Sequence, residues 1–290
     1  MTWLQLKIDS SATLAPQYEQ ELLALGAVAV TLQDNADQPL FDKDLERAPL
    51  WSETRVTGLF PAATDTGSLW QALPQALRDA SAHRVEILED KDWEREWMQH
   101  YQPLQITPQV WICPSWLTPP DPGAINVMLD PGLAFGTGTH PTTAMCVAAL
   151  AHMDLDGKRV IDYGCGSGIL AIAALLLGAT TVTGIDTDPQ AVQATRNNAE
   201  RNQIEPGRID IGLPGLSVAP VPLLVANILA GPLCQLAPTL CELLEPAGEL
   251  VLSGILAEQV ADLVNAYQPW LTLSVLREQD GWVVLYGQRQ

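Results

Sequence analysis

The chain contains 290 residues, of which 47% are hydrophobic and only 17% are charged. This composition supplies the apolar surface for one large domain or two unequal domains and argues against a disordered chain. With 15 Lys and Arg against 34 Asp and Glu, the net charge is −19. Such a charge disfavours general nucleic-acid binding and suits a basic partner, although many cytosolic proteins are simply acidic.

The cysteines and the apolar segments indicate a protein of a reducing compartment. The five cysteines are an odd number without a C-x-x-C pair, which argues against a disulfide framework and against a zinc site. The first residues alternate apolar and polar side chains instead of forming a signal-peptide core. The longest apolar run, residues 169–177, is about half a membrane span. We therefore expect a cytoplasmic protein with neither a bound metal nor a membrane contact. As a separate expectation, the protein is a monomer.

Residues 1–88 predict a small α+β domain. Alternating or apolar segments predict strands, and helical spacing predicts helices at residues 16–26 and 67–80. The predicted strands cover residues 3–8, 28–32, 55–60 and 84–88. This βαββαβ order is typical of a ferredoxin-like sandwich. The only histidine of the segment is His83 and its acids are scattered, so we expect a docking or stabilising domain.

Residues 89–103 predict a short, charged helical linker between two domains. Trp93, Trp97 and Tyr101 recur every four residues and share one face of this helix. The aromatic face either packs as an amphipathic connector or forms an aromatic wall of a ligand pocket.

Residues 104–290 predict a larger α/β domain with a parallel sheet. After an irregular segment with short strands, helices alternate with short apolar strands that begin near Arg159, Thr181, Leu223 and Glu249. Continuous apolar strands between helices are typical of a parallel sheet covered on both faces. Residues 271–276 and 282–286 have no helix between them and predict an antiparallel hairpin at the edge of the sheet.

A glycine-rich loop at the end of the first of these strands is the strongest chemical signal. Gly164, Gly166 and Gly168 allow a tight turn and a close approach to a ligand. Asp186 ends the next strand, about 20 residues further on, at the interval where an acid accepts hydrogen bonds from a ribose. The alternative for Asp186 is a helix cap, but Asp188 before a proline suits that structural role better. The ligand is therefore expected to contain a nucleoside.

The pattern of this loop distinguishes between nucleoside cofactors. The dinucleotide fingerprint requires a glycine where this chain has Ile169, and the chain has no G-K-[ST] of a P-loop. With Asp162 ahead of the glycines, the D-x-G-x-G-x-G pattern resembles the first motif of class I S-adenosylmethionine-dependent methyltransferases.

A second loop, residues 130–145, contains glycines and hydroxyl side chains and opens a helix. We expect Thr139, Thr142 or Thr143 to cap this helix or to contact a ligand carboxylate at its amino end, with ligand contact favoured for Thr143. His140 precedes a proline, and both a general base and a supporting role remain open for it.

Asn227 ends the fourth strand of the larger domain. An amide among apolar residues is costly to bury unless it is hydrogen-bonded, so its oxygen is a candidate acceptor for an amine or for the cofactor. The alternative is a structural Asn that turns the loop. In amino-directed methyltransferases Pro-Pro-aromatic follows this position, whereas Ile228 and Leu229 follow here.

Three segments, residues 129–143, 160–173 and 225–233, together resemble the bacterial PrmA family, methyltransferases of large-subunit ribosomal protein eleven. The resemblance extends over essentially the whole chain. It implies a class I methyltransferase fold with a Rossmann-like, mostly parallel seven-stranded sheet at residues 104–290. It also implies that residues 1–88 recognise a basic ribosomal protein, and that methyl groups pass from S-adenosylmethionine to lysine ε-amines and an N-terminal α-amine. Asn227 is the expected catalytic residue. The expected cofactor-binding residues are Asp162, Gly164, Gly166, Asp186, Asn227, Thr143 and Phe135.

Three other classes of protein share part of these signals. An NAD-dependent oxidoreductase would share the glycine loop and Asp186. A methyltransferase of small molecules or nucleic acids would share the cofactor and would not require residues 1–88. A non-catalytic binding module is disfavoured because three ligand-type loops follow strand ends.

Overall fold

The structure, a computed structural model, describes residues 3–36, 51–88, 101–130 and 138–290. The chain divides into two compact units, Met1–Met98 and Gln99–Gln290. Trp93 and Trp97 of the expected linker lie outside the described residues, as does Phe135 of the second loop.

The N-terminal unit is a four-stranded antiparallel sheet with helices. Its elements are β1 (Trp3–Ser11), α1 (Ala15–Ala24), β2 (Ala29–Asp34), β3 (Glu53–Pro61), α2 (Thr66–Ala72), α3 (Gln75–Ala80) and β4 (His83–Leu88). The strand order is β2-β3-β1-β4. Leu6 and Ile8 of β1 are fully buried, and Tyr18 of α1 packs in the same core, where its hydroxyl donates to the carbonyl of Leu77 at 2.5 Å. The alternating pattern of β1 therefore places one of its faces against the helices.

One expectation for this unit is wrong in detail. The sequence predicts a single helix at residues 67–80, whereas the structure has two short helices, α2 and α3. Pro74 lies between them and Leu73 is extended, with ψ at 146°. Because a proline disfavours helical geometry in the residue before it and has no N–H to donate, the helix ends there.

The C-terminal unit begins with a small sheet of three strands. These are β5 (Leu104–Thr107), β6 (Val110–Cys113) and β7 (Ile125–Met128), in the order β5-β6-β7. β6 pairs with β5 in antiparallel and with β7 in parallel orientation. Val110, Ile112 and Val127 are buried in the core of the larger sheet, so this small sheet covers part of that core.

The remaining residues form seven strands with helices between them. The strands are β8 (Arg159–Tyr163), β9 (Thr181–Ile185), β10 (Ile209–Gly212), β11 (Val221–Asn227), β12 (Leu244–Leu256), β13 (Leu271–Gln279) and β14 (Trp282–Arg289). The helices are α4 (Pro141–Ala151), α5 (Ile169–Leu176), α6 (Pro189–Arg201), α7 (Ala230–Glu242) and α8 (Val260–Tyr267). Two 3₁₀ turns, Pro206–Arg208 and Ala257–Gln259, complete the order. None of the helices formed by the described residues is both long and apolar enough to cross a membrane.

The seven strands form one mostly parallel sheet, as the sequence predicts. The order is β10-β9-β8-β11-β12-β14-β13. The pairs from β10 to β12 are parallel, and β14 runs antiparallel to both of its neighbours, so the expected hairpin closes the edge. β10 was not predicted.

The sheet separates two apolar cores. Val160, Val225 and Val251 face the core that contains α4 and α5, and their neighbours Ile161, Ala226 and Leu252 face the core that contains α7 and α8. Because successive side chains of a strand point to opposite faces, strands buried on both faces are apolar throughout.

Gly254 fixes the turn that follows β11 against β12. Its φ is +83°, and a Cβ built on it would lie 2.3 Å from the carbonyl oxygen of Ile228. The backbone after Asn227 therefore lies against β12 at a distance that only glycine permits.

We predict that Gly254→Ala destabilises the protein by about 2–4 kcal/mol, from the left-handed backbone and the backbone clash together. The free energy of unfolding in urea measures this. The matched control is Gly231→Ala in α7, where a Cβ meets nothing within 4 Å. Equal stabilities of the two variants would contradict the packing described here.

Candidate active site

The predicted site residues converge at the carboxyl ends of β8, β9 and β11. These strands are neighbours in the sheet, and the strand order reverses between β8 and β11. Ligands of open parallel sheets bind at such a reversal, outside the carboxyl ends of the strands. Three loops lie there: residues 164–168 (the glycine loop), the residues after β9, and the residues after β11.

The glycine loop is attached to the end of β9 by its backbone. The N–H groups of Gly164 and Cys165 donate to the carbonyl of Ile185 at 2.7 and 3.1 Å, and that of Gly166 donates to Oδ2 of Asp186 at 2.8 Å. A Cβ on Gly164, where φ is +79°, would lie 2.3 Å from Cγ2 of Ile228. Glycine is therefore required at this position by the contact between the glycine loop and the loop after β11.

Asp186 lies directly after β9 and Asp188 lies at the start of the next helix, as the sequence predicts. Asp188 is the N-cap of α6 and accepts from the N–H of Gln190 at 2.8 Å, with Pro189 in the first turn. The structural role predicted for Asp188 is confirmed. Asp186 is half-buried at the end of β9, and its Oδ1 accepts from the N–H of Asp188 at 3.0 Å. Among the described residues, each carboxylate oxygen of Asp186 has one protein donor and keeps capacity to accept from a ligand.

Asp162 lies beneath the glycine loop, not on its surface. Its side chain is fully buried, and Oδ2 accepts from the N–H of Ala171 in the first turn of α5 at 2.9 Å. Oδ1 is buried without a hydrogen-bond partner among the described residues. Burial raises the pKa of Asp162 from 3.8 to about 7; the bond from Ala171 opposes this rise and the charge of Asp186 adds to it. Asp162 therefore supports the start of α5 from below.

Thr143 and Asn227 are brought together from two different elements. Thr143 is fully buried in the first turn of α4, and Nδ2 of Asn227, at the end of β11, lies 3.3 Å from its Oγ1. Oδ1 of Asn227 is buried without a hydrogen-bond partner among the described residues. Leaving such an oxygen without a donor costs about 1–3 kcal/mol, so this atom is an acceptor available to a ligand.

The expected threonine cap of α4 is wrong. The N-cap is His140, whose Nδ1 accepts from the N–H of Thr142 at 3.4 Å and lies 2.7 Å from Oγ1 of the same threonine. Pro141 occupies the first turn, which fixes the residue before it as the cap. The His140 ring also contacts Trp282 edge-on, with centroids 5.0 Å apart, and burial lowers its pKa. His140 thus has a structural role at the start of the helix that carries Thr143.

Two residues that sequence reasoning missed hold the glycine loop from α6. Oγ1 of Thr195 donates to the carbonyl of Gly166 at 2.9 Å, and Nδ2 of Asn198 donates to the carbonyl of Ser167 at 2.7 Å. Both side chains are buried. Their signal in the sequence is a pair of polar residues, three apart, on the helix face that otherwise buries alanine and valine.

A cavity of about 570 Å³ lies elsewhere, near the amino end of β8. Its polar groups include an ion pair between Lys158 and Glu249 at 2.5 Å, and Tyr286 donates to the same carboxylate at 3.0 Å. It contains none of the predicted site residues. Among the described residues, no group of His, Cys, Asp and Glu side chains is arranged to hold a metal ion.

Comparison with known proteins gives one consistent family. Residues 2–290 match the family described as ribosomal protein L11 methyltransferase (PrmA). A protein of Teredinibacter turnerae with the name ribosomal protein L11 methyltransferase is 52% identical, over 100% of this chain and 98% of its own. One of Azotobacter vinelandii with the same name is 51% identical over 100% of both chains. The crystal structure of a ribosomal protein L11 methylase from Lactobacillus delbrueckii subsp. bulgaricus is 32% identical, with a TM-score of 0.58, over 66% of this chain and 100% of its own.

The raised pKa of Asp162 predicts a specific pH dependence of stability. Between pH 4 and about 7 the folded carboxyl binds a proton that the unfolded one has lost, so the stability of the wild type falls as pH rises through this range. Asp162→Asn removes this titration, and we expect the variant to gain stability relative to wild type by up to roughly 1 kcal/mol per pH unit.

Unfolding in urea at several pH values measures this difference. The matched control is Asp210→Asn, at an exposed position of β10. A difference between Asp162→Asn and wild type that stays constant from pH 4 to 7 would show that the Asp162 carboxyl is ionised throughout.

Proposed function

The chain belongs to the ribosomal protein L11 methyltransferase (PrmA) family, and on this premise we propose that it transfers methyl groups from S-adenosylmethionine to amines of ribosomal protein L11. The expected targets are lysine ε-amines and the N-terminal α-amine. The observation that carries the proposal is the meeting of Thr143, Asp186 and Asn227 with the glycine loop at the reversal of strand order.

The residues at this site fit S-adenosylmethionine. Asp186 provides a carboxylate for ribose hydroxyls, and the glycine loop (with Gly164 and Gly166) provides backbone that lies close to a ligand. Oδ1 of Asn227, which is buried and has no partner in the described part of the chain, suits an N–H donor, and Thr143 lies beside it. When bound, the sulfonium of this donor supplies an electrophilic methyl group. Phe135, expected to contact the donor, lies outside the described residues.

The acceptor amine must lose its proton before it attacks the methyl carbon. The lone pair of the amine nitrogen forms the new N–C bond, while the electrons of the S–C bond remain on sulfur. In an ammonium group the proton occupies this lone pair, so the protonated amine cannot react. Holding a lysine neutral at pH 7 costs about 4–5 kcal/mol from its pKa of about 10.4, and holding an α-amine neutral costs only about 1 kcal/mol. Desolvation in an apolar pocket lowers an amine pKa and supplies this difference.

Asn227 orients the neutral amine in this proposal. Its amide oxygen can accept an N–H of the amine but takes up no proton at neutral pH, so its contribution is alignment for an in-line displacement. Its Nδ2 is directed at Oγ1 of Thr143, which leaves Oδ1 as the atom for a ligand donor.

The charge of the chain fits a basic substrate. The N-terminal unit, Met1–Met98, has 17 Asp and Glu against 8 Lys and Arg. We assign substrate recognition to residues 1–88 because this acidic unit carries none of the site residues, while an acidic surface attracts a basic ribosomal protein. The five cysteines are free, which fits a reducing compartment such as the cytoplasm. We further propose that the protein is a monomer and makes no direct contact with nucleic acid.

The transfer is tested by mass spectrometry of purified L11 after incubation with the enzyme and S-adenosylmethionine. We predict that the wild type adds methyl groups and that Asn227→Ala lowers kcat about 100-fold at saturating donor, because the amine loses its alignment. The matched control is Asn265→Ala, on the exposed face of α8, which should retain activity. Normal turnover by Asn227→Ala would contradict the assigned role, and wild-type enzyme that leaves L11 unmodified would contradict the proposed function.

Electrostatic attraction between enzyme and substrate predicts a salt effect on the transfer. Raising the salt from about 0.05 M to about 0.5 M should lower kcat/KM for L11 about tenfold, because screening weakens long-range attraction. The turnover at saturating L11 is the internal control and should change much less. A flat kcat/KM profile over this range would exclude steering by the acidic surface.

A further inference from the structure

The inward face of α6 carries a row of three polar side chains. Thr195, Asn198 and the C-cap residue Asn202 are spaced by three and four residues, so they lie on one side of the helix. Thr195 and Asn198 donate to two consecutive carbonyls of the glycine loop, those of Gly166 and Ser167, at 2.9 and 2.7 Å. One helix therefore holds the middle of the glycine loop by two side-chain hydrogen bonds.

The amide of Asn198 is held in one orientation. An Asn side chain can donate only through Nδ2 and accept only through Oδ1. A guanidinium nitrogen of Arg201 donates to Oδ1 of Asn198, which directs Nδ2 towards the carbonyl of Ser167. The other terminal nitrogen of Arg201 pairs with Asp130 at 3.0 Å, and Asp130 in turn accepts from the N–H and hydroxyl of Ser115.

The same helix is attached to the end of β7. Asn202 exchanges two hydrogen bonds with the backbone of Met128, each 2.7 Å long, and its Nδ2 also donates to the carbonyl of Asn198 at 2.8 Å. The end of β7 and the glycine loop are thus connected through neighbouring residues of α6. A displacement of α6 would move both attachments together.

We propose that Asn198, oriented by the ion pair between Arg201 and Asp130, is a positioning residue of the methyl-donor site. It acts through the carbonyl of Ser167, which it holds so that the N–H groups and glycines of the loop keep the direction that the donor requires. This inference rests on the proposed function, because the site it serves is the one assigned there to S-adenosylmethionine.

The chemistry of the position supports this role over simple packing. Asn198 is only 5% exposed and lies on a helix face with Ala191, Val192 and Ala199. A buried amide is stabilising only when its hydrogen bonds are satisfied, and here both ends of the amide have partners. What the amide adds over an apolar side chain is a fixed direction for a loop carbonyl.

The test compares Asn198→Asp with Asn197→Asp in the full-length protein. Asp at position 198 keeps the size of the side chain and the acceptor for Arg201, but it has no N–H for the carbonyl of Ser167. Asn197 is the neighbouring, exposed residue of the same helix, where its Oδ1 accepts from Gln193, so the control makes the same change of charge without touching the loop.

Three readouts are measured: the Kd for S-adenosylmethionine by calorimetry, amide hydrogen exchange of residues 164–168 without the donor, and the KM values for S-adenosylmethionine and for L11. We expect Asn198→Asp to raise the Kd about tenfold and to accelerate exchange in the loop, because the buried carbonyl of Ser167 loses the hydrogen bond from Asn198. KM for S-adenosylmethionine should rise accordingly, while KM for L11 stays within about twofold. Asn197→Asp should match the wild type in all three readouts.

A second variant keeps the test decisive if Asn198→Asp does not fold. Arg201→Gln removes the ion-pair partner of Asp130, whose side chain is 23% exposed, and we expect the Kd to rise about threefold. Its control is Lys158→Gln, which breaks an ion pair of similar exposure near the amino end of β8 and should leave the Kd unchanged.

The outcomes separate this inference from the proposed function. If the wild type binds S-adenosylmethionine and both Asn198→Asp and Arg201→Gln bind it equally well, the positioning role is wrong and the function stands. If Asn198→Asp raises KM for L11 by the same factor as KM for S-adenosylmethionine, the substitution acts through general destabilisation and the inference is also overturned. If the wild type does not bind the donor, the proposed function fails and the inference fails with it.

Discussion

The reversal of strand order between β8 and β11 is the constraint on which the site depends. The chain leaves β8 for α5 in one core and leaves β11 for α7 in the other, so the two loops diverge above adjacent strand ends. They still have to meet at their bases, where Gly164 contacts Ile228 and leaves no space for a Cβ. The glycine pattern, often taken as a ligand signal alone, is therefore also what allows two loops of opposite direction to pack at the crevice.

Two buried side-chain oxygens of this region have no hydrogen-bond partner within the part of the chain that the structure describes. Oδ1 of Asp162 lies below the glycine loop, where burial raises the pKa of the carboxyl to about 7. Oδ1 of Asn227 lies beside Thr143, at the end of β11. The first belongs to a residue that supports α5, and the second belongs to the residue assigned to the amine. These two buried oxygens therefore differ in role because different elements surround them.

The sequence predicted the large sheet well because its strands are apolar on both faces, and it predicted the positions of Asp186, Asp188 and Asn227 because strand ends locate them. It missed β10, a strand of only four residues with Asp210 in it. It assigned the cap of α4 to a threonine by residue preference, although Pro141 already marks His140 as the cap. Thr195 and Asn198 were missed for a different reason. Their partners are carbonyls of a loop about 30 residues away, and no local pattern contains that contact.

The acidic charge of the chain has two opposite effects on the reaction. Acidic groups attract a basic substrate, but they also stabilise its lysines as ammonium ions and so raise the free energy of the reactive neutral amine. A carboxylate in place of Asn227 would add to that cost at the very atom that must lose its proton. A neutral amide avoids it, since it accepts an N–H without a full negative charge. The acids that attract the substrate therefore belong on the surface, and the residue proposed to orient the amine has to be uncharged, as Asn227 at the end of β11 is.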